Sequence, residues 1–217
     1  MNQLLWVIDS PFSRAIKWLL LQQSVPHSDH LLTWDTLSSD DLLARHNPKQ
    51  QVPTLITENE TISDSLLIAL SLLGHDWHRS LDAKLFRLAD CDFEATLIFL
   101  FRANLLEKQF GASRESQLMR EAGVTSYQKN SDVLLDSLLP NPLAHYAQTQ
   151  VGIGFVLVFS MLLTCRHMAN SDAIGNYRLA ELQQLQKILV RDPSYQKLVN
   201  NYANEPSHQW PFFLEAL

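Results

Sequence analysis

Cysteine is nearly missing from this chain: there are two, Cys91 and Cys165, in 217 residues. Both fall in helical, apolar contexts. They read as reduced core thiols rather than a disulfide framework, which fits a cytoplasmic protein. Basic residues never gather into a block, and the net charge is −6. That excludes a nucleic-acid surface, because phosphate binding needs concentrated Lys and Arg. Long apolar runs are lacking too. The most apolar stretch, 151–163, is broken by Gly152, Gly154 and Ser160 and followed by Arg166-His167. It falls short of the roughly 18 apolar residues that a membrane span needs and reads as a buried central helix. The N-terminus has neither the basic start nor the apolar length of a signal peptide. No internal repeat and no low-complexity segment is visible.

What is present describes an ordinary soluble globular protein. Hydrophobic residues make up 46% and charged residues 18%, typical values for that class. The length fits one large domain or two modest ones. Residues 3–8 form a strand candidate. Asp9-Ser10-Pro11-Phe12-Ser13-Arg14 is the turn into a helix, with Ser10 as N-cap and Pro11 at the first helical position, where its missing N–H costs nothing. Ile16, Leu19, Leu20 and Gln23 keep helical spacing. A second strand over 28–33 and a short helix over 37–45 follow.

The stretch 47–65 organises the rest. Residues 54–57 are β-prone, Glu58-Asn59-Glu60 is a polar turn, and Thr61-Ile62 starts a second strand, so the pair reads as a hairpin. Val52-Pro53 sits just ahead, where a proline costs no ladder bond. Asp64-Ser65 precedes the apolar run 66–70 as a helix cap. The order over about the first 72 residues is β-α-β-α-β-β-α, which implies a parallel pair joined by a crossover helix and an antiparallel hairpin beside it. Residues 75–81 read as a linker. Beyond it strand alternation disappears. Helices are expected over 81–108, 115–139, 149–168, 177–190 and 194–204, with an apolar tail over 210–217.

Three stretches together resemble the glutathione transferase family. Ser10-Pro11-Phe12-Ser13-Arg14 is similar to the Ser-Pro-Phe-Val-Arg opening of bacterial members. Asn47-Pro48, Val52-Pro53 and Asp64-Ser65 follow the family's Asn-Pro…Val-Pro…Glu/Asp-Ser series. Arg191-Asp192-Pro193-Ser194-Tyr195 resembles its C-terminal Arg-Pro-Ser/Ala-Tyr/Phe signal. The resemblance covers nearly the whole chain. It implies an α/β thioredoxin-like N-terminal domain over 1–74 and an all-α C-terminal domain over 82–217. It also implies glutathione as co-substrate without a metal, a homodimer, and a largely apolar small electrophile as second substrate, as in detoxification. A non-catalytic binding or regulatory relative, and a glutathione-dependent isomerase or dehalogenase, would share the same residues.

By that resemblance Ser10 is the catalytic serine, donating to the glutathione thiolate at the start of a helix, with Ser13 as fallback. The Ser-Pro-Phe-Ser run looks like a glutaredoxin Cys-Pro-Phe-Cys with both sulfurs replaced, so no protein thiolate is available there for disulfide exchange. A cis Val52–Pro53 peptide would present the Val52 backbone to the cysteinyl part of glutathione, like an added strand. Asp64 and Ser65 would hold the γ-glutamyl end and Gln51 the glycyl end, while Phe12 and Ser13 would border the second-substrate pocket. Plain N-caps and a strand-start proline account for the same residues singly; the series is what favours function. Elsewhere, His27-x-x-His30 and His75-x-x-His78 are read as exposed histidines, because structural zinc needs four ligands. Trp6, Trp18 and Trp34 are read as core or interface residues.

One departure stands out. The family places Ser/Thr-x-x-Asp at the start of the central helix. Here Thr149-Gln150-Val151-Gly152 has glycine where the aspartate belongs, leaving a Thr149 cap without its reciprocal partner. On that reading Gly152→Asp should raise thermal stability.

Overall fold

In the computed structural model, residues 1–169, 174–202 and 205 are described. Four strands, β1 (Asn2–Val7), β2 (His27–Leu32), β3 (Thr54–Ile56) and β4 (Thr61–Ile62), form one sheet in the order β2-β1-β3-β4. β1 and β2 run parallel, joined by α1 (Pro11–Gln22); β3 and β4 run antiparallel to their neighbours. Alternation along β1 divides its side chains between two layers. Leu4, Trp6 and Ile8 join the main core with α1 and α3 (Ser65–Leu73). Leu5 and Val7 pack with Leu32 and Leu43 under α2 (Asp41–His46). This is the expected thioredoxin-like half.

Each helix of this half carries its own cap. The Ser10 side chain accepts from the Ser13 N–H, Asp40 from Leu43 and Asp64 from Leu67. All three follow from a polar residue placed just before an apolar helical run.

The rest is helical: α4 (Leu81–Arg87), α5 (Glu94–Phe110), α6 (Arg114–Asp132), α7 (Pro142–Tyr146), α8 (Ile153–Met168), α9 (Leu179–Leu189) and α10 (Pro193–Tyr202). The two long helices expected here each contain a π-wound segment, at Leu88–Phe93 and Val133–Leu138. The presumed linker is a short 3-10 helix, His75–Arg79. Helix α8 is the axis of the molecule, with every residue from Ile153 to Cys165 buried. The two halves are tied together through α1. Trp18 donates its indole N–H to Asp192 at 2.8 Å, Arg14 donates to the Thr164 hydroxyl at 3.1 Å, and Gln22 donates to the Val151 carbonyl at 2.9 Å.

The start of α8 corrects the expectation for Thr149 and Gly152. The helix opens at Ile153, not Thr149, and the Thr149 hydroxyl instead donates to the His145 carbonyl. The cap comes from another helix. The Asp82 carboxylate of α4 accepts the N–H groups of Gly154 and Phe155 at 2.9 and 3.2 Å, and the Trp77 indole N–H at 2.8 Å. Burial pushes the Asp82 carboxyl above the ordinary range, while the Trp77 and α8 N–H groups pull the other way. A Cβ at Gly152 would lie 2.3 Å from that carboxylate, and one at Gly154 would lie 1.9 Å from the Asp82 carbonyl oxygen. Both contacts are far inside van der Waals separation. An aspartate at 152 would strike the cap it was meant to supply and add a like charge. Gly152→Asp is therefore expected to lower the melting temperature, the reverse of the reading from sequence.

Other expectations need correction. Cys91 is exposed and accepts from Arg87, whereas Cys165 is buried and its thiol is pushed up by that burial. The His27 ring is sequestered rather than exposed. Its Nε2 lies 2.6 Å from Lys17 Nζ, and its Nδ1 lies 2.7 Å from the Val25 carbonyl. Trp6 and Trp18 are core residues, but Trp34 is 38% exposed. The tail 210–217 and the end of the last helix, 203–204, lie outside the described residues.

Candidate functional site

A cavity of about 360 Å³ opens where the sheet half meets the α4–α5 region. That is within the range of small-molecule sites, about 300–1,000 Å³. Its wall includes Phe12, Gln51, Val52, Pro53, Asp64 and Ser65. Six residues singled out from the sequence thus share one surface, although they come from α1, the loop before β3, and the start of α3.

The loop before β3 is built to leave a backbone edge open. Asn47, buried, donates to the Gln51 carbonyl at 2.9 Å and to the Thr54 hydroxyl at 3.1 Å, which pins both ends of the loop. Gln50 sits in the left-handed region at φ 52°, and the Val52–Pro53 peptide is cis, as expected. Among the described residues the Val52 N–H and C=O take part in no hydrogen bond within the chain. An extended ligand can pair with them as an added strand would.

Across the cavity stands the N-terminus of α3. Asp64 Oδ1 takes the Leu67 N–H at 3.0 Å, and the Asp64 carbonyl takes that of Ile68 at 2.8 Å. Among the described residues the N–H groups of Ser65 and Leu66 have no hydrogen-bond partner, and Ser65 lines the cavity. Open N–H groups and the positive end of the helix dipole together suit a carboxylate.

Ser10 and Ser13 are not on that wall. Ser10 is 4% exposed and two residues from Phe12; its oxygen accepts the Ser13 N–H at 3.3 Å, which leaves its own proton to donate. The Ser13 hydroxyl is fully buried in α1 without a hydrogen-bond partner. Behind them the buried Arg14 guanidinium is held down to about 10, chiefly by burial, with Tyr195 and Asp9 acting in the other direction.

The wall also holds residues that sequence reasoning missed: Trp34, Leu37, Gln50, Ser63, Asp90 and Glu94. Asp90 lies in the π-wound segment and Glu94 opens α5. Their four-residue spacing is visible in the sequence, but which way that face turns depends on the π segment.

A larger cavity, about 630 Å³, lies at the far end of α1 beside Gln22, Tyr146, Gln150 and Arg191. It contains none of the site residues expected from the sequence, although Arg191, Asp192, Pro193 and Ser194 of the C-terminal run line it. The carboxylate on its rim, Asp192, is already committed to Trp18 and to the Tyr195 N–H. Among the described residues no cluster of His, Cys, Asp and Glu could hold a metal ion, and no helix is long and apolar enough to cross a membrane.

The fold has counterparts among known proteins. Residues 9–72 match the family of the glutathione S-transferase N-terminal domain. The solved glutathione S-transferase of Methylobacillus flagellatus, with glutathione bound, superposes at TM-score 0.65 and 15% identity, covering 91% of this chain and 98% of that one. The enzyme of Xylella fastidiosa gives 0.67 and 16%, covering 93% and 98%. A glutathione transferase family member from Pseudomonas fluorescens, also with bound glutathione, gives 0.67 and 16%, covering 91% and 98%. No curated protein matches the chain in sequence. Residues 9–72 are thus similar to a glutathione S-transferase N-terminal domain, and the chain shares the fold of these solved structures over more than nine-tenths of its length.

Proposed function

We propose that the protein is a cytoplasmic glutathione transferase, which joins the glutathione sulfur to an electrophilic, largely apolar small molecule. One observation carries the reading: the open Val52 edge and the open N-terminus of α3 face one cavity. The first suits the cysteinyl backbone of a short peptide and the second its γ-glutamyl carboxylate, with Ser65 adding a hydroxyl and Gln51 bordering the glycyl end.

Thiolate formation sets the energetic demand. Lowering a thiol from about 8.5 by two units takes about 2.7 kcal/mol. A helix N-terminus supplies up to about 2 kcal/mol in a partly buried site. A hydroxyl donating to the thiolate adds about 1.5–3 kcal/mol. Ser10 combines both effects at the start of α1, and its cap role uses only its acceptor side. Ser13, fully buried, is the weaker candidate. Phe12 offers an apolar face for the electrophile.

A homodimer belongs to the same reading. Ile98, Phe101 and Leu105 recur at helical spacing on α5, each more than 40% exposed. Light scattering should give about twice the 24.8 kDa chain mass. A single species at the chain mass would rule the dimer out.

The test is retention on glutathione-agarose together with a panel of electrophiles, for wild type and Ser10→Ala. Wild type should be retained and turn over at least one electrophile; Ser10→Ala should be retained but slowed tenfold or more, as expected for loss of a charge-assisted bond. A second reading, a non-catalytic glutathione-binding protein, is favoured by the 4% exposure of Ser10. Retention without turnover by wild type would select it. Failure to bind the resin would remove both.

A further inference from the structure

Helix α5 turns one face away from the body of the protein. Thr96, Leu100 and Ala103 are its buried side. Opposite them, at steps of three and four residues, stand Glu94, Ala95, Ile98, Phe101, Arg102 and Leu105. Ile98, Phe101 and Leu105 are each more than 40% exposed, and Ala95 and Arg102 are exposed as well. Two charged side chains flank the apolar centre. Among the described residues neither Glu94 nor Arg102 has a hydrogen-bond or ion-pair partner. Burial raises the Glu94 carboxyl above the ordinary range, and the Asp90 and Asp64 charges raise it further. A cation beside it would offset that repulsion.

The stripe is its own complement. A two-fold axis pairs residue i of one copy with residue j of the other, and j with i. With the axis at Ile98, antiparallel α5 helices bring Glu94 to the partner's Arg102, Ala95 to the partner's Phe101, and Ile98 to the partner's Ile98. A charge meets its opposite and a small side chain meets a large one, twice each. One helical turn to either side the match fails. An axis at Arg102 sets guanidinium against guanidinium, and an axis at Glu94 sets carboxylate against carboxylate. The reach is ordinary. Four residues rise about 6 Å along a helix, and packed helices stand about 8–10 Å apart. A Glu and an Arg offset equally from the axis therefore come face to face.

We propose that two copies of this chain dock through antiparallel α5 helices with the two-fold axis at Ile98, each Glu94 pairing with the partner's Arg102. Resting on the homodimer of the glutathione transferase reading, this interface adds to it an axis and the charges that fix its register. Glu94 also lines the cavity, so the pairing brings one cation of the partner to the rim of each site.

Light scattering of the full chain over a dilution series tests the pairing. Wild type should be a dimer. Glu94→Arg and Arg102→Glu, each checked for folding by its melting curve, put two like-charged pairs across the axis. Each should raise the dimer dissociation constant by at least about tenfold. Combining the two restores opposite charges and should return the constant to within about threefold of wild type. A second variant needs no charge. Ile98→Cys, in a Cys91→Ser background, should form a disulfide between copies under mild oxidation, because helices about 8–10 Å apart bring facing Cα atoms within the span of about 4.4–6.8 Å that a disulfide requires. Leu105→Cys in the same background should not, since its two copies lie about 20 Å apart along the helices. Dimers that single charge reversals leave unchanged, or a combined variant no tighter than the singles, would overturn the Ile98 axis while leaving the homodimer intact. Cross-linking at Leu105 in place of Ile98 would do the same. A wild-type monomer at every concentration would overturn the homodimer and the axis together, while retention on glutathione-agarose judges the glutathione reading separately.

Discussion

The sheet half and the helical half solve the same problem in opposite ways. Helices α1, α2 and α3 each receive a cap from the residue just before them: Ser10, Asp40 and Asp64. Helix α8 receives its cap from Asp82, in a different helix and more than seventy residues earlier. A local cap stabilises one helix end. The Asp82 cap joins the start of α8 to α4 and, through Trp77, to the segment leading out of the sheet half. It follows that single substitutions should cost more at the remote cap than at the local ones.

Gly154→Ala should break the helical half most severely, because its Cβ would fall 1.9 Å from the Asp82 backbone oxygen, which cannot swing away. A loss of at least about 3 kcal/mol is expected from thermal or urea unfolding. Asp82→Ala comes next. It strands two N–H groups of α8 and the Trp77 indole, at a cost of about 3 kcal/mol, or a melting point lower by about 10 °C. Asp64→Ala at the local cap of α3 should cost only about 1 kcal/mol. Equal losses at Asp82 and Asp64 would dissolve the contrast.

The smallest effect is a pH slope. Burial raises the Asp82 carboxyl in the folded state. The native chain therefore holds that proton more tightly than the unfolded chain does. The stability this group contributes is greatest below the ordinary aspartate value, about 3.9, and declines as pH rises from there through the raised value. Asp82→Asn removes the titration. The stability of wild type relative to Asp82→Asn should drop as pH rises from the ordinary aspartate value through the raised one. A flat difference over that range would contradict the assignment.

The same contrast explains what could be read without coordinates. The strand and helix order of the first 72 residues was legible, because alternation along β1 and polar residues ahead of apolar runs are local signals. Half of the cavity wall was legible, through Phe12, Gln51, Val52-Pro53 and Asp64-Ser65, because their series resembles that of a known family. The start of α8 was not, since nothing near Gly152 points to Asp82. The π-wound segments were also hidden. A π turn leaves no mark in the sequence, yet it re-aims every later side chain of its helix by a large fraction of a turn. Asp90 and Glu94 came to the cavity, and Cys91 to the surface, through such a segment. Short α7, only Pro142–Tyr146, was absorbed into an expected loop.

The two open backbone edges and the Ser65 hydroxyl are proposed to form one site for a glutathione-type peptide. Its most direct test is the dissociation constant of glutathione for wild type and for Ser65→Ala, measured by calorimetry. Wild type should bind one glutathione per chain. In Ser65→Ala binding should weaken by at least tenfold, the loss of one hydrogen bond to a charged group. Identical constants, or no heat from either protein, would contradict it.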